Sequence, residues 1–207
     1  VIGLNQWEQD QIKTALPGKR SGLGDGDQTI YSLRKWARLA QKGNPTVLTA
    51  LFLPEYEVLG ELGRVLIDNR KLFLSKEAGH RHLGYMRSQR DAMTGLRNKR
   101  TNRPELVHKY GYDTKFAGHM IRLGIQGIEL MDTGRITIPL HEDDRKTIMS
   151  IREGKVDKEF VLALADHLEA ELIKATENSW LPDETDTDKV NRLIIDLRLD
   201  YWEHGIV

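Results

Sequence analysis

Residues 27–54 (DQTIYSLRKWARLAQKGNPTVLTALFLP) constrain the fold of this chain more than any other stretch. The β-branched and aromatic residues at its start predict a strand over residues 27–32. Apolar residues at helical spacing, interleaved with Arg and Lys, then predict a basic helix. Gly43 ends that helix, and Asn44 followed by Pro45 predicts the capped start of a second helix.

The rest of the chain is predicted to be mostly helical. Capping residues and apolar periodicity predict further helices over residues 58–73, 76–96, 104–111, 114–131, 142–152, 158–178 and 188–203. Residues 135–140 (RITIPL) read as a short strand or extended segment. We therefore expect a predominantly helical α+β protein, with the strands in residues 1–35 and a helical body in residues 36–207. Strands that precede a helical body in this way suggest the remnant of a small sheet that is completed by an upstream segment.

Composition excludes several classes of protein and of site. The 207 residues are 39% hydrophobic and 30% charged, which is typical of a soluble globular protein. The absence of cysteine excludes disulfides, thiolate nucleophiles and cysteine zinc sites. No apolar run approaches the roughly 20 residues that span a bilayer. No signal peptide is visible, so we expect a cytoplasmic protein without a membrane partner.

The net charge of zero hides an asymmetry along the chain. Residues 81–122 contain ten Lys and Arg against three acidic residues, whereas acidic residues outnumber basic ones from Glu153 onward. A basic segment of this kind predicts a polyanionic partner or a phosphate ligand. The alternative is that the basic and acidic segments form two faces that attract each other.

Several residues are candidates for binding a metal ion or phosphate. Asp25 and Asp27 are carboxylates two positions apart that could bind Mg²⁺, although a polar turn explains Asp25 as well. Lys35 and Lys42 supply point charges near the capped helix start at Asn44, which suits a phosphate.

Three potential cations also recur on one predicted helix. Lys115, His119 and Arg122 lie at positions i, i+4 and i+7 and therefore share a face. They could clamp a triphosphate or a nucleic-acid backbone, or they could simply face solvent or acidic helices. By contrast, His80 and His82 are expected to be surface histidines, and the acids of residues 142–144 are expected to stabilise a helix start.

The run TIYSLRKWARLAQKGNPTVLTALF resembles predicted nucleotidyltransferases of the DNA polymerase β superfamily from bacteria and phages. Shorter pieces, among them KFAGHMIRL, continue the resemblance in the same order as far as Trp202. The resemblance implies transfer of a nucleoside monophosphate from a nucleoside triphosphate such as ATP. The acceptor would be a tRNA or DNA end, or a protein, and the cofactor Mg²⁺ or Mn²⁺.

The same resemblance assigns roles to individual residues. Asp27 would be the third catalytic acid and a metal ligand, while Asp25 is a candidate metal ligand from its spacing alone. Lys115, His119 and Arg122 would neutralise the phosphate tail of the nucleotide, while Lys35, Lys42 and Asn44 are candidate nucleotide-binding residues from their charge and position alone. The Gly-Ser turn and Asp-x-Asp pair of such enzymes have no counterpart here, and we expect them upstream of Val1. Without that pair, the alternative is a non-catalytic helical module that binds nucleic acid or a protein partner.

Overall fold

The computed structural model describes residues 9–13, 26–95 and 103–205. Two strands, β1 (Gln9–Lys13) and β2 (Asp27–Tyr31), pair antiparallel with Gln9 opposite Tyr31. The predicted strand after residue 26 is therefore confirmed. Its partner β1 was not predicted, because QDQIK has a single apolar residue and no alternation that would indicate a half-buried strand.

Helices make up most of the described part of the chain, so the predominantly helical α+β fold is confirmed. They are α1 (Leu33–Gln41), α2 (Pro45–Thr49), α3 (Glu61–Asp68), α4 (Lys76–Thr94), α5 (Pro104–Tyr110), α6 (Thr114–Thr133), α7 (Glu142–Arg152), α8 (Lys158–Asn178) and α9 (Thr187–His204). Among these helices, none combines the length and the apolar character needed to cross a membrane.

The predicted helix starts are fixed by side-chain caps. The side-chain oxygens of Asn44, Asp113 and Asp157 accept hydrogen bonds from backbone N–H groups in the first turns of α2, α6 and α8. Each bond satisfies a donor that the helix itself leaves unpaired. The first turn of α7 carries Glu142, Asp143 and Asp144, as expected for acids that stabilise a helix N-terminus.

Two predicted elements differ from the structure. The helix expected over residues 58–73 is shorter: α3 ends at Asp68, and a 3₁₀ turn (Arg70–Phe73) follows Asn69. The Asn69 amide donates to the Val65 carbonyl over 2.9 Å, which satisfies a carbonyl at the end of α3. Residues 135–140 form no strand but an irregular segment with a bend at residues 138–139, and the Thr137 N–H donates to the Glu129 carboxylate over 2.9 Å instead of to a neighbouring strand.

Helices α4, α6 and α8 form the centre of the molecule and pack closely through glycines. A Cβ atom at Gly127 of α6 would lie 2.9 Å from both His82 Cβ on α4 and Leu172 Cδ1 on α8. A larger residue at this position would therefore push the three helices apart. This tight packing fixes the positions of α6 and of the neighbouring helices α2 and α7, which carry the candidate site.

The expectation that His82 lies at the surface is wrong. Its side chain is 1% exposed, and its Nδ1–H donates to the Ala78 carbonyl over 2.7 Å. Burial lowers the pKa of His82 to about 4, so the ring is neutral at physiological pH. His80, two positions earlier on α4, is exposed as expected, because the two residues point to opposite sides of the helix.

Candidate functional site

Four basic side chains from α6 and α7 come together around a small cavity of about 140 Å³. Lys115, His119 and Arg122 of α6 line it together with Arg152 of α7, and we call these four residues the cationic cluster. The prediction that the three α6 residues share a face is therefore confirmed. Their role in binding a nucleotide stays a prediction.

Arg152 reaches the cluster because α6 has no side chain at position 118. A Cβ atom on Gly118 would lie 2.7 Å from Arg152 Cγ and 3.2 Å from its Cδ. The aliphatic stem of Arg152 thus lies directly on the backbone of α6, which brings its guanidinium beside His119 and Arg122. Sequence reasoning missed Arg152, since a residue thirty positions away shares no helical periodicity with the α6 face.

His119 is neutral and is held by its cationic neighbour. An Arg122 Nη2 proton is donated to His119 Nδ1 over 2.9 Å, so the neutral ring carries its own proton on Nε2. Burial, followed by the positive charges of Arg122 and Arg152, lowers the pKa of His119 to about 4. Burial and the charge of Arg152 also lower the pKa of Arg122. His119 therefore offers an N–H donor to a ligand without adding a third repelling charge to this pair.

The cationic cluster has no acidic partner within residues 26–95 and 103–205, apart from side chains that the structure does not describe. No carboxylate there forms a salt bridge with Lys115, Arg122 or Arg152. Like charges held together in this way repel one another, and an anionic ligand would remove that repulsion.

Other basic residues of the same segment behave differently. Arg87 of α4 pairs with Glu169 of α8 over 2.6 Å, and Arg90 pairs with Asp166 over 2.5 Å. The attraction between basic and acidic segments that the sequence left open is therefore real for α4 and α8. It does not extend to the cationic cluster, which makes the cluster the stronger candidate for an anion site.

A second cavity of about 140 Å³ shares His119 and Arg122 with the first. Its remaining wall consists of Pro45, Thr46, Thr49, Leu123 and Gln126. Gln126 is only 6% exposed, and its side-chain amide has no hydrogen-bond partner in the described part of the chain. Its amide lines the cavity with its donor and acceptor groups available, so Gln126 is suited to bind a polar ligand. Gln126 was not predicted as a site residue, because it lies within the apolar stripe of α6.

The remaining predicted nucleotide ligands do not line the cavities of the cationic cluster. Lys42 follows α1 and lines a separate cavity of about 360 Å³ with Arg38, Glu77 and other residues. Lys35 lies on α1, partly buried. Asn44 is close to the second cavity but is engaged by the fold, since it caps α2 and its Nδ2 donates to Tyr85 Oη over 3.1 Å.

The predicted metal ligands cannot be compared with the cluster. Asp25 and the side chain of Asp27 lie outside the part that the structure describes, although the backbone of Asp27 begins β2. Within the described residues, no group of three or more His, Asp or Glu could hold a metal ion. The described residues do not fit a Mg²⁺ site by themselves.

Comparison with known families decides the wider assignment. The model of the RNA repair pathway DNA polymerase beta family (RlaP) matches residues 13–196. The chain belongs to this family. Membership in RlaP confirms the resemblance to the polymerase β superfamily and supports a nucleotidyltransferase-like function. No curated protein and no solved structure matches the chain significantly.

Proposed function

We propose that this RlaP-family chain transfers a nucleoside monophosphate from a nucleoside triphosphate to the end of an RNA, and that the cationic cluster binds the triphosphate. The uncompensated charge of Lys115, Arg122 and Arg152 carries the proposal. The family description supplies the reason to expect RNA as the acceptor.

The chemistry of the cluster suits a phosphate chain. Arg122 and Arg152 can each offer two parallel N–H donors to phosphate oxygens, and Lys115 adds a mobile point charge. His119 contributes a neutral donor, which can bond an oxygen without competing for the same negative charge. These groups would hold and orient the triphosphate and stabilise charge that develops on a departing pyrophosphate.

We further propose that transfer requires Mg²⁺ or Mn²⁺ and that Asp27, with Asp25, contributes to binding the ion. Lys35 and Lys42 remain proposed nucleotide ligands of lower weight, because neither lines a cavity of the cationic cluster. Asn44 is proposed to act indirectly, by fixing the α2 wall of the second cavity.

Binding of ATP to matched variants tests the role of the cluster. Arg152→Gln and Arg145→Gln each remove one guanidinium from α7, but only Arg152 lies in the cluster, whereas Arg145 is exposed beside Glu142. We expect Arg152→Gln to weaken ATP binding about tenfold or more, since hydrogen bonds to charged groups contribute about 1.5–3 kcal/mol. Arg145→Gln should stay within about twofold of wild type.

Calorimetry gives the affinities, and transfer of label from α-labelled ATP to a short RNA gives the activity. Equal losses of affinity in the two variants would mean that the cluster binds no triphosphate specifically, and that general charge alone matters.

A non-catalytic RNA-binding module is the second candidate, because the uncompensated charge of the cationic cluster also suits an RNA backbone. Such a module would bind RNA with an affinity that falls steeply as salt rises, with or without Mg²⁺, and would transfer no label. Label transfer that depends on a divalent ion would exclude it.

A further inference from the structure

A third cavity, of about 410 Å³, lies on α4 and plays no part in the phosphate site described above. It is lined by His80, Arg81, Gly84, Tyr85 and Ser88, which follow one face of the helix. None of these residues is acidic, and the Tyr85 ring is 38% exposed. An accessible aromatic ring beside a guanidinium and an imidazole is a surface on which nucleobases stack.

Asn44 connects this cavity to the cationic cluster. Its Nδ2 donates to Tyr85 Oη over 3.1 Å, while its Oδ1 accepts from the Thr46 N–H over 3.1 Å. Thr46 in turn lines the cavity that contains His119 and Arg122. The α4 cavity and the second cavity therefore lie on two sides of Asn44, which places a surface for a base near two residues of the cationic cluster.

Two details favour a flat ligand in the α4 cavity. The hydrogen bond from Asn44 fixes the orientation of the Tyr85 ring, which reduces the entropy lost when a base stacks on it. Gly84, the residue before Tyr85, lines the same cavity, and a Cβ atom added to Gly84 would meet no atom within 4 Å beyond its chain neighbours. The helix backbone is thus open to close approach at this point.

We propose that the α4 cavity binds a nucleobase, which stacks on Tyr85 while its phosphates contact the cationic cluster. The proposal rests on the proposed function for the phosphate contacts. The base could belong to the incoming nucleoside triphosphate or to the end of the acceptor RNA, since both present the same ring chemistry.

Two substitutions on α4 test the proposal. Tyr85→Ala removes the stacking ring, and Gly84→Leu places a side chain into the cavity from the neighbouring position. Gly84→Leu should fold normally, because the new side chain enters open space and leucine favours a helix more than glycine does. Tyr85→Phe serves as the control that keeps the ring and loses only the bond from Asn44, and Gly84→Ala is the control that leaves most of the cavity open.

Three probes are titrated against each variant: ATP, inorganic tripolyphosphate and a short single-stranded oligo(A) RNA. We expect Tyr85→Ala and Gly84→Leu to weaken binding of the probe whose base enters the cavity by about tenfold, the effect of losing one base–aromatic stack. Tripolyphosphate, which has no base, should change by less than about twofold. Weakened ATP binding identifies the incoming nucleotide as the source of the base, and weakened RNA binding with unchanged ATP binding identifies the acceptor.

The proposal is overturned if neither substitution weakens ATP or RNA, or if tripolyphosphate weakens as much as they do. Its failure is distinguishable from failure of the proposed function. A wild-type protein that binds RNA but no ATP or tripolyphosphate contradicts the triphosphate site, whereas loss of RNA affinity in both α4 variants would still establish the nucleobase site. A wild-type protein that binds none of the probes overturns both.

Discussion

Lowering the pH should destabilise the fold through His82, long before most carboxylates are protonated. His82 is buried where α4 crosses α6, and its only described hydrogen bond is the one that it donates to the Ala78 carbonyl. Burial lowers its pKa from 6.5 to about 4. The unfolded chain therefore takes up a proton on this ring near pH 6.5, whereas the folded chain resists protonation until near pH 4.

The size of the effect follows from this difference in pKa. A shift of one unit corresponds to about 1.4 kcal/mol. Since the unfolded state binds the proton first, the free energy of unfolding falls as the pH drops below the unfolded pKa. We expect His82 to remove about 2 kcal/mol between about pH 7.5 and pH 5, and about 3 kcal/mol once the pH is below 4.

Urea unfolding of wild type and His82→Met, followed by circular dichroism at both pH values, isolates this contribution. His82→Met lowers stability at every pH, because the bond to Ala78 is lost, but its stability should fall less on acidification by about 2 kcal/mol. All other ionisable groups are common to the two proteins, so their contributions cancel in the difference. The same fall in wild type and variant, within about 0.5 kcal/mol, would refute the reasoning.

Three further outcomes are expected. Tripolyphosphate should raise the pKa of His119, because a bound anion favours the charged imidazolium, and the affinity for tripolyphosphate should increase as the pH falls from 7 towards about 4, the pKa of His119 in the free protein. NMR titration of the His119 ring with and without the anion measures this pKa, and an unchanged midpoint would place the anion elsewhere. Gly118→Val should displace the Arg152 stem and weaken ATP binding about as much as Arg152→Gln, with calorimetry as the readout; wild-type affinity with an intact helix signal would contradict the packing role of Gly118. Asp27→Asn should abolish divalent-ion-dependent label transfer while circular dichroism stays unchanged, and full activity would remove Asp27 from the site.

Much of the helical framework could be predicted, because its signals are local. Capping residues such as Asn44, Asp113 and Asp157 indicate a helix start within three residues of sequence. The apolar residues of α6 recur at helical spacing along most of the helix. The strand predicted over residues 135–140 is not formed, because the carboxylate of Glu129 in the preceding helix accepts the hydrogen bond from the Thr137 N–H. That competition depends on tertiary position and leaves no local pattern.

The candidate site was predictable in part for the same reason. Lys115, His119 and Arg122 share a face by helical geometry alone, so the sequence was sufficient to group them. Arg152 and Gln126 complete the cavities only after α7 and α2 have packed against α6. The prediction of a surface position for His82 failed although local geometry could have excluded it. His80 and His82 point to opposite sides of α4, so one of them must be buried once other helices cover one side of α4.

The contact between Gly118 and Arg152 has a use beyond this chain. A guanidinium on one helix is positioned by the lack of a side chain on another, so a change at either position would disturb the cationic cluster. In other members of the family, a bulky residue aligned with position 118 would signal that the pocket has been remodelled, even where every basic residue of the α6 face is retained. A glycine at position 118 therefore indicates whether this pocket is retained in another member of the family.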